Sequence, residues 1–220
     1  MDKYFNILNR VSLFKGLREE EIRKALLCLN PSVKAFKKGS YIINSSDKVS
    51  SFGIILNGSA VVFNEDVLGN RNILTKLCVG SLFGEVFACA KIEESPVSVI
   101  AESDATIMMI DYHRALFSCS NSCSFHNNII ENMVYIIANK NLQLTRKIEH
   151  ISKRTIRDKI ISYLSTQKSI AKSNSFTIPF NRQEFADYLG VDRSALSKEL
   201  SKMAGEGIIN YCKNHFEVII

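Results

Sequence analysis

The sequence predicts an α+β fold with three parts: an N-terminal antiparallel β-roll of the jelly-roll type, a long dimerisation helix and a C-terminal winged helix-turn-helix. Three observations predict it. Short β-rich runs separated by turn signals occupy residues 33–111. One long stretch of helical periodicity follows, and after it come two short amphipathic helices joined by a tight turn. The expected boundaries are 1–117, 118–151 and 152–220.

The composition is that of a globular chain in a reducing compartment. With 220 residues, 46% of them apolar, it can bury a core in one large or two small domains. No apolar run approaches the roughly 18 residues that a membrane span needs, and the charged, interrupted N-terminus is unlike a signal peptide. The six cysteines show no paired spacing, so we expect a cytoplasmic protein without disulfides or a membrane partner.

The N-terminal part begins with a short amphipathic helix over about residues 18–30, with the sequence REEEIRKALLCLN. The runs that follow include YIINSSDK, SFGIILNGSAVVF and NILTKLCVGSLFGE. Their β-branched residues favour strands, and the glycines between them favour tight turns. Runs this short and this evenly spaced predict an antiparallel roll.

The long helical stretch runs from about Ser122 to Ile151 and carries a heptad pattern. Its a and d positions are Ile130, Val134, Ile137, Asn141, Leu144, Ile148 and Ile151. Such a pattern predicts a coiled-coil seam, so we expect a parallel homodimer. Asn141 fits this prediction because a lone asparagine at an a position lowers stability but fixes the register and favours two strands. A long core helix in a monomer is the alternative interpretation.

The stretch NRQEFADYLGVDRSALSKELSKMAGEGII, residues 181–209, predicts a helix-turn-helix. The apolar faces of its two helices are Phe185, Ala186 and Leu189, then Leu196, Leu200 and Met203. Gly190 ends the first helix, because glycine enters the left-handed conformation without a Cβ clash. Asp192 can cap the second helix by accepting hydrogen bonds from its first backbone N–H groups.

The second of these helices presents polar donors at its N-terminal end. They are Arg193, Ser194, Ser197 and Lys198. Such side chains donate to base edges and phosphates in a major groove, and Arg182 at the start of the first helix adds a further cation. A solvated helix face with a chance charge pattern is the alternative interpretation.

Two further features favour a nucleic-acid partner. Residues 208–219 alternate around a Lys213-Asn214 turn, which predicts a β-hairpin that forms the wing. The net charge is +6 and the isoelectric point about 9.0. From residue 152 onward, 11 basic and 7 acidic side chains concentrate the positive excess around the helix pair. We therefore expect double-stranded DNA as the partner.

Several segments carry a family resemblance. They are KKGSYI, ILNGSAVV and GSLFGE in the predicted roll and FNRQEFADYLGVDRSALSKELSKMAGEGII at the helix pair. From about residue 12 to its end, the chain resembles the CRP/FNR family of bacterial transcription regulators. It is similar in particular to a clostridial-type branch with CSFHNNIIENM and SKRTIRDKI around the dimer helix. The resemblance implies a cyclic-nucleotide-binding-like roll and a homodimer on a palindromic operator, with RNA polymerase as a further partner.

The resemblance also implies that the donors of the second helix are the family's recognition contacts. Many members carry glutamate where Ser194 stands and arginine where Lys198 stands. The standard family half-site is therefore not expected for this chain.

The roll departs from the members that bind cyclic AMP. In those members, G-x-x-x-G-E is followed by an Arg-Ser pair that holds the cyclic phosphate. Here Gly80, Gly84 and Glu85 fit the first part, but the pair reads Ser95-Pro96. Because a buried phosphate without a guanidinium lacks its bidentate partner, cyclic AMP is not the expected effector.

An unknown small-molecule effector is expected instead, between the roll and the dimer helix. The candidate pocket residues are Phe83, Gly84, Glu85, Val86, Ser95, Val97, Met133 and Ile137. Glu85 would be one polar anchor of such a pocket. The alternative is that Glu85 only holds its own loop together.

A metal or redox site has weaker support. Cys119 and Cys123 are one helical turn apart, with His126 three residues further on. This spacing can bind a metal or form a redox pair, but it offers fewer than the four ligands of a closed zinc site. Thiols without a function are the alternative interpretation. We therefore assign no metal site.

An enzymatic function is not expected, since no catalytic constellation was found. The sequence contains neither G-x-S-x-G, nor a phosphate loop ending in Gly-Lys-Ser/Thr, nor H-E-x-x-H. A β-roll that senses redox or metal state, or that regulates an enzyme partner, is the alternative to a DNA-binding regulator. Binding to DNA separates these functions.

Overall fold

The computed structural model of the chain describes residues 2–65, 71–90, 92–117 and 124–219. The chain divides into two compact units, the roll unit Met1–Ala138 and the winged unit Asn139–Ile220. Their boundary lies inside the long helix, so the two halves of that helix belong to different units. The division into three parts by function stays a prediction.

The roll unit begins with short helices. They are two 3-10 turns at Asp2–Tyr4 and Ser12–Phe14, helix α1 at Phe5–Leu8 and helix α2 at Glu19–Leu29. The Glu21 carboxylate accepts the Arg18 backbone N–H at 2.9 Å and so closes the start of α2. At its end, Asn30 adopts the left-handed conformation with φ 42°. The amphipathic helix expected over residues 18–30 is confirmed.

Eight strands and two helices follow. They are β1 Ser32–Phe36, β2 Tyr41–Ile43, β3 Ser51–Asn57, β4 Ala60–Glu65, β5 Arg71–Leu77, β6 Leu82–Phe83, α3 Glu85–Cys89, β7 Ser98–Ala101, β8 Ala105–Asp111 and α4 Tyr112–Leu116. In the described residues the strands form two antiparallel four-stranded sheets, in the orders β1-β8-β3-β6 and β2-β7-β4-β5. The predicted antiparallel roll is confirmed.

Apolar side chains fill both sides of the β1-β8-β3-β6 sheet. Those between the two sheets are Ile55, Ala60, Leu77, Phe83, Val99 and Ile107. Those that share a second cluster with α1, α2 and the start of the long helix include Phe52, Ile54, Met108 and Ile110. The central strand β3 is therefore buried on both faces, which explains its continuous apolar run, whereas the edge strand β1 is largely exposed.

The long helix, α5, is Ser124–Ile151. Its first half, which belongs to the roll unit, buries Phe125, Ile129 and Met133 in the same cluster as α1 and α2. The Asn132 amide donates to the Leu13 and Lys15 carbonyls at 3.0 and 2.8 Å. None of the described helices, α5 included, is long and apolar enough to cross a membrane.

The winged unit continues from the second half of α5. Its elements are α6 Ile156–Ala171, β9 Ser175–Thr177, α7 Arg182–Leu189, α8 Arg193–Gly205, β10 Ile209–Cys212 and β11 His215–Val218. The strands form one antiparallel sheet in the order β10-β11-β9. Lys213 takes a left-handed conformation, φ 55°, in the hairpin turn before β11. The predicted helix-turn-helix and its wing are confirmed.

Candidate nucleic-acid interface and effector site

The helix pair α7–α8 rests on a buried core. Its six predicted apolar residues are all fully buried, together with Ile160 and Leu164 of α6 and Phe216 of β11. Gly190 has φ 61°, and the Val191 N–H donates to the Ala186 carbonyl at 3.0 Å, which closes the turn between the helices. This core fixes the orientation of α8.

Asp192 caps α8 as the sequence predicted. Its Oδ1 accepts the backbone N–H of Ser194 at 2.8 Å and of Ala195 at 3.0 Å. The Ser194 hydroxyl donates to the same oxygen, and these hydrogen bonds lower the pKa of Asp192, the one from the hydroxyl most of all. Ser194 therefore supports the cap of α8, a role that the sequence prediction did not include. Its hydroxyl proton is already donated to Asp192.

The other predicted contacts on α8 differ in exposure. Arg193 and Lys198 are exposed, whereas Ser197 is half-buried. The Ser197 backbone carbonyl accepts the Ser201 hydroxyl at 3.1 Å, one turn further along the helix. The first turns of α8 thus present two exposed cations above a buried apolar face.

Arg182 links α7 to the wing. Its guanidinium lies over the Tyr211 ring, with 5.0 Å between the guanidinium carbon and the ring centroid, and donates to the Lys213 carbonyl at 3.3 Å. The cation that sequence reasoning grouped with α8 is therefore positioned by the hairpin β10–β11.

Sequence reasoning missed an ion-pair cluster between α6 and α8. Arg157 Nε donates to Glu199 at 2.6 Å, and its two terminal nitrogens donate to Glu206 at 2.7 and 3.0 Å. The paired hydrogen bonds to Glu206, then the one to Glu199, raise the pKa of Arg157, and Arg157 lowers the pKa of Glu206. Glu199 lies on α8, and Glu206 directly follows its last residue. Their spacing of seven residues returns to the same side of a helix, and this spacing was the available signal in the sequence.

The effector candidates in the roll are mostly buried. The Phe83 ring lies directly on the Gly53 backbone, since a Cβ added to Gly53 would be 2.2 Å from that ring. The Ser95 hydroxyl donates to the Val97 carbonyl at 2.7 Å, and the Ser95 N–H donates to the Asp47 carbonyl at 2.8 Å. Phe83 therefore fills space between the two sheets, and Ser95 braces its own loop.

The remaining effector candidates are distributed over different surroundings. Gly84, with φ 79°, directly precedes α3, and the side chain of Glu85, the first residue of that helix, is buried. Met133 and Ile137 belong to the cluster between α5 and the N-terminal helices, whereas Val86 is exposed. The structure thus does not group these residues in one cluster.

Most of the predicted dimer seam lies on the uncovered side of α5. Val134, Leu144 and Ile148 expose 63, 62 and 62% of their surfaces. Asn141 is also exposed and accepts the Thr145 hydroxyl at 3.2 Å, while Ile130 and Ile137 are half-buried. Apolar residues at heptad positions therefore face outward from the single chain.

The weak metal candidates are only partly described. Cys119 and Cys123 lie outside the described residues. His126 is buried, its Nε2 lies 3.0 Å from the Arg114 carbonyl oxygen, and its ring stacks on Phe125. Within the described ranges, no three His, Cys, Asp or Glu side chains come together as a metal site.

Comparisons with protein families agree with this architecture. Residues 33–120 match the cyclic nucleotide-binding domain, and residues 158–220 match the Crp-like helix-turn-helix domain. The first match covers the roll, and the second covers most of the winged unit.

Two curated relatives match different shares of the chain. Human cGMP-dependent protein kinase 2 is 32% identical over 111 residues, half of this chain, and the chain spans only 14% of the length of that kinase. The probable transcriptional regulator flp of Lacticaseibacillus casei is 23% identical over 201 residues, which cover 90% of this chain and 87% of that protein.

Solved structures share the fold over nearly the whole chain. The catabolite activator protein of Thermus thermophilus has a TM-score of 0.52 and 20% identity, covering 94% of this chain and 93% of its own. The c-di-GMP-responsive global regulator of Xanthomonas campestris has a TM-score of 0.59 and 16% identity, covering 92% and 100%. The chain joins a cyclic nucleotide-binding domain to a Crp-like helix-turn-helix in this order, and it belongs to the CRP/FNR family of transcription regulators.

Proposed function

We propose that the chain is a homodimeric bacterial transcription regulator that acts in the cytoplasm, binds a palindromic operator through α8 and responds to an effector other than a cyclic nucleotide. The observation that carries this proposal is the start of α8, where Arg193 and Lys198 are exposed while Leu196 and Leu200 of the same helix are buried. A helix held by a buried face keeps its donors at fixed positions, as readout of base edges in a major groove requires.

The exposed heptad residues of α5, which we call the outward row, support the homodimer; they are Val134, Asn141, Leu144 and Ile148. A helix that exposes Val134, Leu144 and Ile148 in register with a heptad pattern removes this surface from water when a second copy pairs with it. Asn141 lies in the same row and would fix the register. Two copies related by a twofold axis would present their α8 helices to successive major grooves, about 34 Å apart.

The surroundings of Ser95 argue against a cyclic nucleotide as effector. The Ser95 hydroxyl already donates to a backbone carbonyl, and Pro96 has no N–H to offer. The exposed carboxylates of Glu93 and Glu94 precede this pair and repel a phosphate. A cyclic phosphate is a permanent anion whose burial requires cationic or N–H partners, so we propose an apolar or neutral polar effector.

The relatives make this a question worth testing with several ligands. The likeness to a cGMP-dependent kinase covers half of the chain, and the Xanthomonas regulator is described as responsive to c-di-GMP. Cyclic AMP, cyclic GMP and c-di-GMP are therefore the reference ligands for any effector screen.

The experiment that tests the proposal uses the full chain. Duplexes selected from a random library are measured by fluorescence anisotropy at one stated salt concentration, against scrambled duplexes of equal length. We expect the selection to enrich a palindromic sequence. In analytical ultracentrifugation, the chain should bind that duplex as a dimer. Equal affinity for the selected and scrambled duplexes, or a chain that stays monomeric at micromolar concentration with and without DNA, would contradict the proposal.

A further inference from the structure

The last turn of α5 has two faces with different surroundings. On one face, Ile148 and Ile151 are exposed in the row that we assign to the dimer seam. On the other face, His150 is almost completely buried within the winged unit. One turn of helix therefore lies between the proposed dimer seam and the DNA-binding core.

His150 contacts both helices that pack against this turn. Its Nδ1 lies 2.9 Å from the Ser162 hydroxyl oxygen of α6. Its ring meets the edge of Tyr163 with a centroid distance of 5.6 Å, and the Tyr188 ring of α7 is 6.3 Å away. Lys147, one turn earlier, lies over the Tyr188 ring at 5.5 Å. These contacts fix the C-terminal end of α5 onto α6 and α7.

The groups that face the imidazole suit its neutral form. From α6 and α7 they are a serine hydroxyl and two phenols, and burial raises the pKa of both phenols, so they stay uncharged. Lys159, which α6 also directs inward, donates to the Leu189 carbonyl. Burial lowers the pKa of His150; along the chain, Glu149 opposes this shift, while Lys153 and Arg146 add to it. Among the described residues, the hydrogen-bond partner of this ring is the Ser162 hydroxyl and not a carboxylate.

We propose that His150 is a positioning residue that, in its neutral form, couples the dimer helix to the DNA-binding core, so that mild acid uncouples them and weakens operator binding. The proposal rests on the proposed function for its DNA arm. A buried imidazolium without a carboxylate partner is unfavourable, so protonation favours arrangements in which the end of α5 separates from α6 and α7. Two α8 helices must hold a fixed spacing on a palindrome, and a loosened α5 no longer imposes it.

The direction in which operator affinity changes on acidification distinguishes positioning by His150 from general electrostatics. Protonation of histidines adds positive charge, which by itself strengthens binding to the phosphate backbone. Positioning by His150 predicts the opposite direction. Acid should also destabilise the winged unit. Because folding lowers the pKa of His150, the stabilisation by its neutral ring is complete above the unfolded pKa of about 6.5 and is lost as the pH falls through the folded pKa.

The test compares the full chain with two variants. His150→Asn keeps a hydrogen-bonding group near Ser162 but does not titrate, and His113→Asn removes an exposed histidine of the roll unit as a matched control. Affinity for the selected palindrome is measured by anisotropy between pH 7.5 and 5.5 at constant salt, and the urea midpoint of the full chain is followed by circular dichroism.

We expect the affinity of the parent and of His113→Asn to fall on acidification by clearly more than the about threefold change allowed for His150→Asn. His150→Asn should hold its affinity within about threefold and lose less of its urea midpoint. An affinity that is constant or rises in the parent, or a His150→Asn profile that follows the parent, would overturn the proposal. Should the parent bind no duplex at pH 7.5, the proposed function fails, and the pH dependence of the urea midpoints alone decides the role of His150.

Discussion

The main candidate functional side chains are exposed in the winged unit and buried in the roll unit. In the winged unit, Arg193 and Lys198 are exposed on a helix whose other side is buried. In the roll unit, Phe83, Glu85 and Ser95 are buried in the fold itself. A DNA-binding surface has to meet its partner from outside, so its residues contribute little to the core and can change with the operator.

A small-molecule site has the reverse requirement. Its residues must enclose a ligand, so they share their surroundings with the core, and the effector candidate Phe83 lies against Gly53 in this way. A substitution in such a site alters stability and ligand binding together. Mutations should therefore separate function from stability in the winged unit and couple them in the roll unit.

The largest expected effect comes from the outward row on α5. Leu144→Glu combined with Ile148→Glu places like charges on the proposed seam, so the chain should become monomeric and lose affinity for a palindrome by about 100-fold or more, as expected when paired binding is lost. Sedimentation and anisotropy measure the two changes.

The matched control for the seam is Leu27→Glu. Leu27 exposes 82% of its surface on α2, so the same chemical change there should leave both assembly and affinity unchanged. A dimeric double variant that binds the palindrome like the parent would contradict the assignment of the seam.

The next effect tests whether function and stability separate in the winged unit. Arg193→Ala and Lys198→Ala should each weaken operator binding by roughly 1–3 kcal/mol, the value of a good base contact. Their free energies of unfolding should stay within about 0.5 kcal/mol of the parent, because both side chains are exposed. Anisotropy and urea unfolding give the two numbers.

Lys24→Ala removes the same charge from an exposed position on α2 and is the control for these variants. It should lower neither affinity nor stability. If both α8 variants bound like Lys24→Ala at equal salt, α8 would not be the recognition helix.

The third prediction tests whether the candidate site in the roll unit is part of the packed core, so that a change there alters stability. Gly53→Ala places a methyl group in contact with the Phe83 ring, and the overpacking should reduce the free energy of unfolding by about 1–3 kcal/mol. Adding Phe83→Leu should restore part of the loss, since the smaller side chain makes room. A full-stability Gly53→Ala variant would show that the ring moves freely, which contradicts close packing at this place.

The smallest expected effect is the response to cyclic nucleotides. Calorimetric titration with cyclic AMP or cyclic GMP should give no saturable heat in the micromolar range, because the Ser95-Pro96 pair offers no guanidinium and the Ser95 hydroxyl already donates to the Val97 carbonyl. A one-to-one isotherm per chain would mean that another cation has replaced the missing arginine and that the roll is a cyclic-nucleotide sensor.

Much of the fold could be predicted from the sequence because its signals are local. The left-handed Gly190, the Asp192 cap and the period of the apolar residues on α8 each involve positions within a few residues of one another. The heptad row on α5 is local in the same sense, and its exposure in the single chain is what a seam requires. Turn signals between the β-rich runs sufficed for the roll.

The sequence by itself thus determined the order of the elements, the caps of the helix pair and which side of α5 and α8 faces outward. Only the tertiary structure decided that Arg157 joins Glu199 and Glu206, 42 and 49 residues away, that Phe83 lies on Gly53, and that His150 is buried. The physical reason is range. Periodicity and capping depend on backbone geometry within one or two turns, whereas these contacts depend on how distant segments pack, which neither residue type nor spacing specifies.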